Sequence, residues 1–442
     1  MTFVSSRRVA PHHARLFYTF LACCGKIVAM KAEIITIGTE LLLGHIVDTN
    51  AAYLAQQLAA NGIDLYYKTT VGDNIERIAG VIAQALARSD VVITSGGLGP
   101  TVDDVTREGI AQATGRTLEL YPAAWEQIQG MFTRWGRPPD ENNRRQAMLP
   151  TGSILVPNPV GTAPAFIVVT ASSAIFSLPG VPREMKHLTE VALVPFLRQQ
   201  LGGQPAIIKS RVLRTCTIGE SVIDTLIADL ETGSNPTVGL AAHAGQTDIR
   251  ITAKAANGAA ADALITPVEQ EVRRRLGHAI YGVDQQTLEE VVARLLAERQ
   301  LTVALIETNT AGDMAHRLQA TPYGSVVLAA HVVDQGCALV ELLGLPAAWC
   351  EVEWPDDNLA LVAADALYAQ SGADFALVVL GSLEAHETLY TGDRGRSVCA
   401  LAYAGGRLTR RYDLGGTGEV TQRWLGNRVL DWLRRVILQA EM

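Results

Sequence analysis

The chain has no excess of positive charge. Its 442 residues carry 37 Lys and Arg against 45 Asp and Glu, a formal net charge of −8, and no sustained basic stretch. Non-specific nucleic-acid binding needs a basic face, so nucleic acid is disfavoured as a partner. Long apolar runs are also missing. None approaches the roughly 20 residues of a membrane span, which argues against a membrane protein. Cysteines are few. Cys23, Cys24, Cys216, Cys337, Cys350 and Cys399 form no zinc-like or redox Cys-x-x-Cys pair, so the sequence points to a reducing cytoplasm.

What is present is length and alternation. The size predicts about three domains, each with room for a core. Residues 1–29 differ in character from the rest of the chain. Ser6-Arg7-Arg8 and the apolar Leu16–Ala22 mimic a weak export signal, but no clean cleavage site comes after them. Met30 precedes a fresh strand pattern, so residues 1–29 read as a disordered extension or an overlong start.

From Met30 strands and helices alternate: a strand at Ile34–Ile37, a helix at Asn50–Ala60, a strand at Ile63–Thr70, a helix at Ile75–Arg88, and a strand at Asp90–Thr94. This predicts an α/β unit over residues 30–200 with a mostly parallel sheet covered on both faces. Ligands then bind at the carboxyl ends of strands. Three polar loops fall there, Gly38-Thr39-Glu40, Gly72-Asp73-Asn74 and Ser95-Gly96-Gly97, and predict one shared cleft.

The segment Ser95-Gly96-Gly97-Leu98-Gly99-Pro100-Thr101-Val102-Asp103-Asp104 is the most informative. Its glycines let backbone N–H groups approach a ligand. It reads as opening a helix that runs through Ile110, with Thr101 and Asp104 fitting a capping box and the helix start favouring phosphate. Two carboxylates beside such a cradle would repel a bare phosphate, so a bridging cation is expected. The alternative is an ordinary Gly-rich turn with an acidic first helical turn. Downstream, Asn158–Pro164 precedes the strand Ala165–Val169, and Leu178–Pro182 links the strand Ala174–Ser177 to a helix.

Residues 205–282 read as a small α+β unit without evident chemistry. Its strands are Arg211–Thr217 and Thr247–Ala253, its helices Glu220–Leu230 and Ala259–Leu276. Residues 284–442 form a third unit. Its helices are Thr287–Glu298, Ala311–Ala320, Leu359–Ser371 and Val420–Ala440. Its strands are Leu301–Glu307, Ser325–Val333 and Asp374–Leu380.

Together these residues resemble the CinA family (competence/damage-inducible protein A). Gly38–Gly44 continuing to Asp48-Thr49-Asn50, then Val71–Asn74, Ser95–Asp104, Asn158–Pro164 and Leu178–Met185 keep the family's order. The resemblance implies a MoaB/MogA-like first domain that hydrolyses ADP-ribose to AMP and ribose 5-phosphate with a divalent metal (Mg, Mn or Co). It further implies a KH-type connecting domain, an amidase-like third domain and a homodimer. Candidate metal ligands are Glu40, Asp73, Asp103 and Asp104, the last three doubling as acid–base groups. Candidate ligand contacts are Gly38, Thr39, Asp48, Asn50, Ser95, Gly96, Gly97, Gly99, Thr101, Asn158, Gly161 and Thr162. Capping of the helix at Asn50 is an equal reading for Asp48 and Asn50. The competing function is non-catalytic binding of a nucleotide or molybdopterin. No basic Gly-x-x-Gly loop supports RNA binding between 205 and 282.

In the third domain the resemblance breaks. Where active members carry Glu-Ser-Cys-Thr-Gly-Gly, this chain has Glu307-Thr308-Asn309-Thr310-Ala311-Gly312. Aligned on Leu342-Leu343-Gly344, Asp334 and Leu339 stand where the family has its tyrosine and lysine. The later Thr-Gly-Ile-Ala-Gly-Pro loop reads Leu380-Gly381-Ser382-Leu383-Glu384-Ala385. A hydroxyl nucleophile needs an adjacent base, so nicotinamide mononucleotide amidase activity is expected to be absent, leaving a packing or dimerisation module.

Overall fold

The computed structural model describes residues 30–202, 206–334, 336–383 and 395–439. Residues 1–29 and the positions Glu384 and Ala385 lie outside them. The chain divides into two compact units, one reaching Lys209 with Lys254–Asp262 added, the other holding the remainder. Among the described residues no helix is long and apolar enough to cross a membrane.

The first unit runs β1 (Lys31–Ile37), α1 (Thr39–Leu42), α2 (Thr49–Ala60), β2 (Asp64–Val71), α3 (Ile75–Leu86), β3 (Val91–Ser95), α4 (Thr106–Ala113), β4 (Leu118–Leu120), α5 (Pro122–Arg134), α6 (Glu141–Arg144), β5 (Met148–Pro150), β6 (Ile154–Val156), β7 (Ala165–Val169), β8 (Ala174–Leu178), α7 (Pro182–Leu188) and α8 (Val194–Gln200). Its main sheet has the order β2-β1-β3-β8-β7-β6. The first four strands are parallel; β7 and β6 join antiparallel. Apolar residues of β1 alternate between two cores. Ala32 and Ile34 pack with Leu54 and Leu58 of α2 on one face, while Ile35 and Ile37 pack with Ile78 and Ile82 of α3 on the other. Burial on both faces explains why the strands read as nearly continuous apolar runs.

The second unit continues with β9 (Ile207–Cys216), α9 (Glu220–Glu231), β10 (Thr237–His243), β11 (Gln246–Ala255), α10 (Gly258–Leu276) and β12 (Ile280–Val283), forming a sheet of order β10-β11-β9-β12. It ends with α11 (Leu288–Glu298), β13 (Val303–Glu307), α12 (Asp313–Gln319), β14 (Val327–Val332), α13 (Gly336–Leu343), α14 (Asp357–Ser371), β15 (Phe375–Gly381), β16 (Ser397–Tyr403), β17 (Gly406–Tyr412) and α15 (Glu419–Gln439), around a sheet of order β14-β13-β15-β16-β17. The elements β10, β12, α5, α13 and the β16–β17 hairpin were not among the sequence expectations.

One expectation is overturned. The glycine segment does not open the helix. Residues 96–105 form a chain of turns, and α4 starts only at Thr106, so Asp103 and Asp104 precede the helix. The capping-box pair closes a turn instead. The Asp104 carboxylate accepts from the Thr101 N–H at 2.9 Å and from the Thr101 hydroxyl, and the Asp104 N–H donates to the Thr101 carbonyl.

Candidate active site

Four loops gather at the carboxyl edge of the parallel strands, after β1, β2, β3 and β8. Gly38 is tied to the end of β2 through its N–H, which donates to the Val71 carbonyl. Asp73 caps the start of α1, accepting from both the N–H and the hydroxyl of Thr39 at 2.8 Å. Asn50 donates through Nδ2 to Ser95 Oγ at 3.2 Å and to the Gly180 carbonyl at 2.7 Å. Asp48, not Asn50, is the cap of α2, accepting from the Ala51 N–H at 2.8 Å.

These bonds frame an open cleft of about 100 Å³. Of the sequence candidates, Glu40, Asp48, Asn50, Ser95 and Gly96 line it. Gly180, Pro182, Ile46 and Val47 also line it; sequence reasoning did not single these out as ligand contacts. The wall is therefore half apolar and half polar, as suits a ligand with a flat apolar part and charged or hydroxyl groups.

Gly38, Thr39, Asp73, Gly97, Gly99, Thr101, Asp103, Asp104, Asn158, Gly161 and Thr162 stand off the lining. Gly96 has φ 110, and a Cβ there would lie 2.1 Å from the Ile37 carbonyl oxygen, so only glycine fits. Hydrogen bonding within the 101–104 turn, Thr101 foremost, holds the exposed Asp103 below the usual carboxylate range.

The glycine loop is held from beneath by a residue the sequence reading did not single out. Arg107 is 1 % exposed. Its guanidinium donates to the carbonyls of Leu98 at 2.7 Å, Gly99 at 3.0 Å and Asp104 at 3.2 Å. Burial pushes its pKa down. Thr106 adds a bond from its hydroxyl to the Gly96 carbonyl at 2.8 Å. With these carbonyls turned to Arg107 and Thr106, the N–H groups of Gly97, Leu98 and Gly99 have no partner among the described residues.

Asn158, Gly161 and Thr162 serve this scaffold. Asn158 is fully buried and donates to the Ala163 carbonyl at 2.9 Å and to Glu184 at 2.6 Å. The Glu184 carboxylate lies where a Gly161 side chain would be, and burial pushes it above the usual range. Thr162 accepts from the buried Gln146 at 3.2 Å.

The candidate metal ligands are not brought together. Among the described residues no three His, Cys, Asp or Glu converge where a metal could sit. Asp73 is committed to Thr39 and Asp104 to Thr101. Glu40 alone of the four lines the cleft. These residues do not fit a protein-built metal centre.

In the second unit the amidase-like stretch comes after β13. Glu307 is buried and accepts from the N–H groups of Met314 and Ala315, and burial pushes its carboxyl up. The Thr308 hydroxyl is 3.0 Å from the Val379 carbonyl, to which it donates, and accepts from the Gly381 N–H at 2.9 Å. Asn309 is fully buried and donates to Ser397 Oγ at 3.0 Å. Leu339 belongs to the hydrophobic core.

Residues 33–199 of the first unit match the family described as "Probable molybdopterin binding domain". Residues 210–282 match the damage-inducible protein CinA KH domain, and 285–437 the CinA C-terminal domain. A competence-damage inducible protein of Alkaliphilus oremlandii is 37% identical over 421 residues, covering 93% of this chain and 100% of the relative. A CinA-like protein of Parasynechococcus marenigrum is 38% identical over 414 residues, covering 92% and 98%. The chain belongs to the CinA family of competence/damage-inducible proteins, with a MoaB/MogA-like domain, a KH-type domain and a CinA C-terminal domain. Among solved structures, the CinA protein of unknown function from Thermoplasma acidophilum matches at 35% identity, covering 38% of this chain and 98% of that one, with a TM-score of 0.36.

Proposed function

We propose that the first unit hydrolyses the diphosphate of a nucleotide sugar such as ADP-ribose, giving AMP and ribose 5-phosphate. The observation that carries this reading is the meeting of Glu40, Asp48, Ser95 and Gly96 on one cleft at the carboxyl ends of parallel strands, beside a loop whose Gly97, Leu98 and Gly99 N–H groups have no partner among the described residues. Those N–H groups would take phosphate oxygens. Asp48 and Asn50 would face the sugar and base. Glu40 would accept the proton of the attacking water, while the P–O bond to the bridging oxygen breaks. A divalent ion carried in on the diphosphate's own oxygens would supply charge neutralisation there. The resemblance further suggests a cytoplasmic homodimer.

The test incubates the purified chain with ADP-ribose and Mg²⁺, Mn²⁺ or Co²⁺, with and without chelator, and separates products by chromatography. AMP should appear with a metal, and Glu40→Gln should cut its rate at least tenfold. Absence of AMP under every condition, with ADP-ribose still bound in calorimetry, would replace this reading by the second one, non-catalytic binding of a nucleotide or molybdopterin. The dispersal of Asp73, Asp103 and Asp104 favours that second reading.

We also infer that the amidase-like domain does not deamidate nicotinamide mononucleotide. The buried Thr308 hydroxyl is engaged as both donor and acceptor, and Leu339 cannot accept a proton.

A further inference from the structure

Exposed apolar side chains gather at the mouth of the first unit's cleft. Val47 is 83 % exposed and Ile46 54 %, and both line the cleft with Leu41 and Pro182. Leu42 and Leu43, just before them, are exposed as well. An apolar patch left open to water at a groove marks a surface that a ligand covers. The segment Thr39–Asp48 that carries these residues is fastened at its ends, where Thr39 is bonded to Asp73 and Asp48 to the Ala51 N–H. Between those ends α1 has no buried residue. The N–H groups of Leu43, Gly44 and His45 donate to the carbonyls of Thr39, Leu41 and Glu40, all within the segment. A side chain on Gly44, whose φ is 71, would meet nothing within 4 Å. So few contacts with the core let the segment shift as a strap.

The polar atoms next to Ile46 and Val47 are acceptors without donors. Asn50 Nδ2 is committed to Ser95 Oγ and to the Gly180 carbonyl, which can only accept, so the amide cannot be turned round. Its Oδ1 is buried and has no donor among the described residues. The Ser95 hydroxyl cannot supply one, since it donates to the Pro179 carbonyl at 3.3 Å. The second carboxylate oxygen of Asp48 has no partner among the described residues either. An apolar wall beside unmet acceptors suits a flat ring joined to hydroxyl donors, which is the make-up of a nucleoside.

We propose that this strap folds onto the nucleobase of a bound nucleotide, Ile46 and Val47 covering one face of the ring while Asp48 and Asn50 Oδ1 accept from the ribose hydroxyls. The inference rests on the nucleotide-sugar reading above and fixes how the substrate lies, with its nucleoside at the strap and its phosphates toward Gly97–Gly99. Closure buries apolar side chains that the free protein leaves in water, so the base contributes to affinity through the strap. A sugar phosphate without a base gains nothing from it. A nucleotide lacking the 2′-hydroxyl leaves one acceptor unmet.

Calorimetry on the full-length protein, with chelator present so that nothing turns over, compares AMP, 2′-deoxy-AMP and ribose 5-phosphate. The wild type should bind AMP about tenfold more tightly than ribose 5-phosphate, from burial of the ring. It should bind AMP about tenfold more tightly than 2′-deoxy-AMP, from the hydroxyl bond. Joint replacement Ile46→Ser and Val47→Ser should weaken AMP about tenfold while leaving ribose 5-phosphate unchanged. Hydrogen exchange at residues 42–47 should slow when AMP saturates the protein. AMP bound no more tightly than ribose 5-phosphate or than 2′-deoxy-AMP, equal weakening of AMP and ribose 5-phosphate in the double variant, or unchanged exchange at saturation would overturn the proposal. These affinities without cleavage of ADP-ribose would sink the hydrolytic reading and leave the strap standing, and cleavage without them would do the reverse.

Discussion

Arg107 shows how much one side chain decides at the first site. It has no carboxylate within ion-pairing distance among the described residues; its charge is met by three carbonyls of the loop it supports. Arg107→Met would leave those carbonyls without their donor. The expected cost is about 2 kcal/mol in urea denaturation, since buried acceptors left unbonded cost about 1–3 kcal/mol. A looser loop should also bind inorganic phosphate at least tenfold more weakly by calorimetry. Unchanged phosphate affinity with an intact fold would show that Arg107 does not position the loop. Nothing in its sequence neighbourhood marked Arg107. It reads there as one charged residue after an acidic pair, and only burial sets it apart. Asp73 and Asp104 show the converse. Their spacing beside glycines was legible, but whether a carboxylate is available depends on its neighbours, and Thr39 and Thr101 take both.

At the scale of elements, most strands and helices were legible, because burial on both faces makes parallel strands apolar and amphipathic helices carry a 3.6-residue period. The start of α4 was misplaced by about five residues. Gly96 and Gly97, at φ 110 and 65, keep the chain out of helical geometry, and the bond from Thr106 to Gly96 sets where the helix begins. The β16–β17 hairpin escaped notice because β17 is exposed almost throughout, so it carries no apolar alternation. Around β13 the replaced residues sit where the hydroxyl is bonded into the sheet. Thr308→Ser, which restores the family's nucleophile type, should therefore release no ammonia from nicotinamide mononucleotide above the wild-type background. Measurable ammonia release would show that the loss rests on Thr308 alone and that Leu339 is not decisive.

At the scale of the second unit, the KH-type and C-terminal domains share buried charge. Asp431, whose side chain is 1% exposed, accepts from Arg434, Arg435 and Thr217, and Arg434 donates onward to the His278 carbonyl. Asn427 donates to the Ala244 carbonyl and accepts from Arg317. Removing one member strands the others, so Asp431→Ala should cost about 3–5 kcal/mol, the range for breaking a buried pair. Hydrogen exchange should show β9 and α15 losing protection together. Loss confined to α15 would show that the two domains unfold independently.

The sequence by itself determined the order of elements, the loops that meet at the strand ends and the family motifs, since periodicity, glycine and proline act through near neighbours. Only the tertiary structure decided which carboxylates stay free, which glycines a side chain would block, and that one arginine lies under the loop. Those depend on partners distant along the chain, and hydrogen bonding and burial are properties of such pairs rather than of any segment.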